Sequence, residues 1–141
     1  MTIKSATPYL ILNGKAQQAI ELYRTALQAN VEVLQRFGDM PGGCPEALKD
    51  RVMHAAIRVG SAVLMLSDGG PDGGPTAPGS GPVSVALDLD DEAQLRRIFD
   101  ALAASGKVVQ PVIDAPWGAL FGAVNDAFGI SWMFNCTKAP R

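Results

Sequence analysis

A chain of 141 residues with 48% hydrophobic and 18% charged side chains has enough apolar mass for one packed domain or two joined half-domains, which excludes global disorder. The formal net charge of -2 and the lack of a Lys/Arg cluster exclude a concentrated phosphate-binding face, so nucleic acid is not an expected partner. No apolar run approaches the ~20 residues of a membrane span. Met1-Thr2-Ile3-Lys4-Ser5 lacks the apolar stretch of a signal peptide, so the expectation is a cytoplasmic protein without membrane contact.

Tyr9-Leu10-Ile11-Leu12 reads as a strand, ended by Asn13-Gly14, with Asn13 the expected cap of the helix that follows. Ala16, Ala19, Ile20, Tyr23 and Ala26 then recur at helical spacing. Val31 to Phe37 reads as a strand. Gly38 to Asp50 carries two prolines and three glycines and reads as a loop. Val52 to Val59 and Ala62 to Ser67 are two strands of a hairpin turning at Gly60-Ser61. Residues 69–82 hold six glycines and four prolines in fourteen positions, a composition that sustains neither a core nor a long element. The segment reads as a linker and not as a phosphate loop, because the Gly-Lys-Ser/Thr ending is missing.

The order then repeats. Val83 to Leu89 reads as a strand, and Asp90, Asp91 and Glu92 put acid in a helix first turn, where the helix dipole favours it. Leu95, Ile98, Phe99 and Leu102 form the apolar stripe of that helix, and Ser105-Gly106 stops it. Val108 to Ile113, Ala119 to Val124 and Ile130 to Cys136 are three further strands. The helix stripes superpose at a shift of 76, which sets Tyr23 on Phe99 and Ala26 on Leu102. The expected fold class is therefore α+β. Two βαβββ modules, 1–68 and 83–141, flank the 69–82 linker and build a curved mixed sheet around a cavity, with the helices on its outer face. The two cysteines, Cys44 and Cys136, belong to no metal-binding spacing and read as free thiols.

Three segments carry a resemblance to a known family. They are Thr7-Pro8-Tyr9-Leu10 with Gly14 and Ala19-Ile20-Glu21-Leu22-Tyr23; His54-Ala55 leading to Leu64-Met65-Leu66-Ser67-Asp68; and Trp117-Gly118 with Asp126-Ala127-Phe128-Gly129-Ile130-Ser131-Trp132. In this order they resemble the PhnB-like branch of the glyoxalase/bleomycin-resistance (vicinal-oxygen-chelate) superfamily. The resemblance implies paired βαβββ modules and a homodimer. It implies no single reaction, because the fold hosts isomerases, dioxygenases, transferases and antibiotic-sequestering proteins. Similar proteins carry a ubiquinone-pathway methyltransferase label, yet this sequence has no parallel βαβ run with a Gly-rich first turn for a nucleotide-like cofactor.

Metal-dependent members of the superfamily place His, Gln or Glu on four strands. Carried onto this chain, those positions fall near Pro8, Met65, Ser84 and Met133. None suits a divalent ion, which favours imidazole and carboxylate, so the expectation is no metal and no cofactor.

Strand alternation assigns Tyr9, Ile11, Leu64, Leu66, Val85, Leu87, Trp132 and Phe134 to the helix-packed side. The opposite parity sends Leu10, Leu12, Val63, Met65, Ser67, Ser84, Ala86, Asp88, Ser131, Met133 and Asn135 into the cavity, joined by His54, Ala56 and Arg58 from the third strand, and Trp117 is either a lid or a residue packed at the dimer seam. His54 is the one histidine of the chain, and its residue type can move a proton near neutral pH. Arg58 is either an anchor for an anionic group or a solvated strand-end residue. Two functions follow: a protein that binds a small organic molecule in a metal-free cavity, or a metal-independent enzyme of isomerase or lyase type with His54 as general base.

Overall fold

The computed structural model describes residues 3–69 and 83–137, and the expected linker apart from Gly69 lies outside them. The chain divides into two compact units, Met1–Thr76 and Ala77–Arg141.

In the first unit β1 (Tyr9–Ile11) leads to α1 (Ala16–Leu27), β2 (Asn30–Arg36), β3 (Val52–Val59) and β4 (Ala62–Ser67). The sheet order is β1-β4-β3-β2, parallel between β1 and β4 and antiparallel elsewhere. In the second unit β5 (Val85–Leu89), α2 (Glu92–Ala103), β6 (Lys107–Ala115), β7 (Ala119–Asn125) and β8 (Ser131–Thr137) repeat the plan as β5-β8-β7-β6, parallel only between β5 and β8. Each unit is thus βαβββ, as the alternation of patterns predicts, and each forms its own four-stranded mixed sheet.

Each helix forms because it can bury one stripe on its sheet. Ala16, Ala19, Ile20, Tyr23, Ala26 and Leu27 are the buried residues of α1, and Leu95, Ile98, Phe99 and Leu102 those of α2. The buried stripe of α1 is rich in alanine, while that of α2 consists of larger side chains. Phe99 meets Phe134 of β8 edge to face, with centroids 5.5 Å apart. Beneath it Gly122 of β7 leaves the needed room, since a Cβ there would stand 2.9 Å from the Phe99 ring.

The two helices start differently. Asp91 caps α2 within its own sequence, accepting from the Ala93 N–H at 2.9 Å. Asn13, the expected cap of α1, instead sits in a left-handed turn at φ 44, beside Gly14 at φ 88. The acceptor for α1 comes from 52 residues away: buried Asp68 takes the Ala16 N–H at 2.7 Å and, with its other oxygen, the first N–H of β3 from Val52 at 2.8 Å. Asp68 thereby ties the helix start to the sheet. Asp126 does comparable work in the second unit, accepting from the Phe128 and Ile130 N–H groups and the Trp132 indole.

Candidate functional site

Partners across a ladder share a sheet face, so the register decides which side chains turn away from each helix. Pro8 C=O accepts from Met65 N–H at 3.0 Å and Ser67 C=O from Leu12 N–H at 2.9 Å, which sets Tyr9 beside Met65 and Leu10 beside Leu66. Leu66 is fully buried beside Ala55 on the face that α1 covers. Leu10 and Leu12 belong to that buried side, at 8% and 6% exposure, and Tyr9 to the open face, at 47%. The expected parity of the first strand is therefore inverted. Tyr9-Leu10-Ile11-Leu12 is apolar at both parities, so it contains no polar residue to mark the outer face, and only pairing with β4 chooses. The other strands follow the expected parity: Leu64, Ile57, Trp132 and Phe134 are buried.

On the open face of the first unit, the Tyr9 hydroxyl lies 3.0 Å from His54 Nδ1, with the rings 5.8 Å apart and tilted by 32°. Gln35 on β2 is the ladder partner of His54, and Met65 and Ala56 are partners on the same face. Arg58 makes a forked pair with Glu32, through Nε at 2.9 Å and Nη2 at 3.3 Å, which occupies its guanidinium. Ser67 has the expected parity but is buried, and its hydroxyl accepts from Gly69 N–H at 2.9 Å and donates to Val52 C=O. It shapes the strand end and is not offered to a ligand.

On the open face of the second unit, Trp117 stands in the β6–β7 turn that Gly118 closes at φ 85. Its indole N–H donates to Asn135 Oδ1 at 3.1 Å, and Asn135 Nδ2 donates to Asp88 Oδ1 at 3.2 Å. Phe121 packs edge-on against Trp117 at 5.6 Å and is the ladder partner of Asn135. Met133 pairs with Ala86 and Ala123, and Ser84 shares a 2.7 Å hydrogen bond with Ser131.

The structure thus brings Tyr9 to His54, and Trp117 to Asn135 and Asp88. Tyr9 and Phe121 were not among the residues expected on these faces. Tyr9 was hidden by the parity of its strand. Phe121 lies in Ala119-Leu120-Phe121-Gly122-Ala123-Val124, a run too apolar throughout for alternation to reveal a face. Asp88 lies on the open face beside Asn135, as the alternation of β5 predicts.

Two open clefts lie beside the helices and not over these clusters. One, about 700 Å³, runs between α1 and β2 past Gln17, Glu21, Arg24 and Leu34; the other, about 420 Å³, lies between α2 and β6 at Phe99 and Pro111.

The donor set does not fit a divalent ion. Among the described residues no group of three or more His, Cys, Asp or Glu side chains is placed to hold a metal. The open-face residue of β1 is Tyr9 rather than Pro8, and Met65, Ser84 and Met133 offer only thioether and hydroxyl. Cys44 and Cys136 are free thiols, and burial, followed by Asp90, Glu92, Asp91 and Asp88, pushes the Cys136 thiol up.

Residues 4–134 match the family described as 3-demethylubiquinone-9 3-methyltransferase. The chain belongs to this family. It is 32% identical to Protein YjdN of Escherichia coli strain K12 over 142 aligned positions, covering 94% of this chain and 95% of that protein. The crystal structure of PA1353 from Pseudomonas aeruginosa superposes with a TM-score of 0.84 at 38% identity, covering 97% of this chain and all of that one. A glyoxalase-related enzyme from Fulvimarina pelagi shares the fold, with a TM-score of 0.63 at 16% identity, over 96% of this chain and 89% of its own. No helix of the described residues is long and apolar enough to cross a membrane.

Proposed function

We propose that this PhnB-like protein, whose specificity is unknown, binds a small organic molecule on the open sheet faces, without a metal. One observation carries the reading: each open face sets an oriented polar group among apolar neighbours. In the first unit this is His54 held by Tyr9 beside Met65; in the second it is Asn135 held by Trp117 beside Phe121. A few convergent polar groups on apolar walls are the usual composition of a ligand site. Modules 1–68 and 83–141, joined by 69–82, would each offer such a face, in a cytoplasmic protein.

The Tyr9–His54 bond favours a second reading, in which His54 is a general base. If Nδ1–H donates to Tyr9 Oη, the lone pair rests on Nε2, which then takes a proton from the bound molecule; if the tyrosine donates, Nε2 carries the proton and serves as a donor. The family description names methyl transfer, which would require a bound methyl donor; the Tyr9–His54 pair supports proton transfer or hydrogen bonding more directly.

Because His54 is the one histidine, its ring resonances report the site without ambiguity. A fragment screen by NMR, followed by isotherms on wild type and His54→Ala, tests the reading. Fragments that move the His54 ring and lose about 1–3 kcal/mol of affinity in the variant, at unchanged melting temperature, are expected. Unchanged affinity with a clear loss of melting temperature would make His54 structural. No fragment touching either face would sink the binding reading.

A homodimer is the proposed assembly. The end strands expose apolar residues, Val31, Val33 and Leu34 on β2 and Val108, Val109 and Ile113 on β6, and such edges are commonly covered by a symmetric partner. Light scattering at micromolar concentration is expected to give twice the chain mass; monomer alone would refute the proposal.

A further inference from the structure

We propose that the Trp117–Phe121–Asn135–Asp88 cluster of the second unit is a subsite for a cationic group of an organic ligand, such as a quaternary ammonium. The inference rests on the binding reading above and names the chemistry of one face.

Trp117 is 62% exposed, yet it is not a loose surface ring. Its indole N–H is fixed on Asn135 Oδ1, and Phe121 packs edge-on against it, so its ring is held in one orientation. An exposed indole held in place is the best aromatic partner for a cation. The hydrogen bonds run in one direction, from Trp117 to Asn135 to Asp88, and every donor points toward the carboxylate. Asp88 accepts from Asn135 through Oδ1, and among the described residues it has no Lys or Arg partner. On the same face Met133 and Ala86 are apolar, and the Ser84–Ser131 hydroxyls are bonded to each other. Among the described residues, the cluster thus combines a carboxylate without a Lys or Arg partner and an ordered aromatic pair, while Lys107, on the same face through Asn125 and Ser131, stands at the other end of the sheet. An anion would be repelled there, a neutral apolar group would leave Asp88 unmatched, and a cation satisfies both elements.

The chain has two tryptophans, so its indole N–H signals in a proton–nitrogen correlation spectrum form a matched pair: exposed Trp117 as reporter and buried Trp132 as internal control. Choline and its neutral carbon isostere, dimethylbutanol, are the probes. Choline is expected to move the Trp117 signal saturably while Trp132 stays still, and dimethylbutanol to bind about fivefold more weakly or worse. Asp88→Asn, with the Trp132 signal unchanged as proof of folding, is expected to weaken choline by about fivefold. In Trp117→Phe, followed through the Asn135 side-chain amide, the shift induced by choline should shrink likewise. Equal binding of the two probes, or full choline affinity in Asp88→Asn, would overturn the cation subsite while leaving organic binding at this face in place. Silence of both probes at Trp117, together with silence of all fragments at His54, would overturn both.

Discussion

The two halves of the chain run in step and then part. Ala16–Leu27 and Glu92–Ala103 are both twelve residues long and stand 76 apart, as do the first residues of β1 and β5, Tyr9 and Val85. After the second strand the offset falls to 67, between Val52 and Ala119. The first half spends residues 37–51 on a loop with two 3-10 turns, Phe37–Asp39 and Glu46–Leu48, where the second turns through Pro116-Trp117-Gly118. That short turn delivers Trp117 onto the open face, and the first half has no counterpart to it. What packs under a helix is bound by the geometry of the helix and repeats; what faces away is free to differ. The open faces have accordingly become a Tyr–His pair in one half and an indole–amide–carboxylate chain in the other.

The sharpest way to break the comparison is at the helix starts. Asp68→Ala leaves two buried N–H groups, those of Ala16 and Val52, without an acceptor, and is expected to cost about 3 kcal/mol or more in urea denaturation. Asp91→Ala removes an exposed cap from α2 and should cost about 1 kcal/mol. Equal losses in the two variants would show that the long-range cap of α1 and the local cap of α2 are energetically alike, against the difference in burial.

A smaller effect should be confined to the second half. Folding favours the protonated form of Cys136, because burial and then the carboxylates of Asp90, Glu92, Asp91 and Asp88 oppose the thiolate. Its contribution is complete below the ordinary thiol value of 9.0 and is lost as pH rises from there through the higher folded value. The wild type should therefore lose more stability than Cys136→Ala between about pH 8 and about pH 10.5. Parallel pH profiles for the two proteins would exclude the thiol as the cause.

Much of this molecule was legible as a string of residues. Helical spacing of Ala16, Ala19, Ile20 and Tyr23, and of Leu95, Ile98, Phe99 and Leu102, determined both helices and their buried faces, because a stripe at that period has one way to leave water. Gly60-Ser61 set the β3–β4 hairpin, the repeat of patterns gave the two βαβββ units, and single-strand alternation on β3, β4, β5 and β8 placed His54, Met65, Met133 and Asn135 on the faces away from the helices. Tertiary structure alone decided the rest. Tyr9 and Leu10 exchanged sides through a parallel register set by Pro8 and Ser67 backbone groups, Asp68 reached α1 across 52 residues, and Arg58 and Ser67 were taken up by Glu32 and the backbone. Local periodicity reports only which side chains leave water. Which polar atom meets which depends on strands that are neighbours in the sheet and distant in the chain.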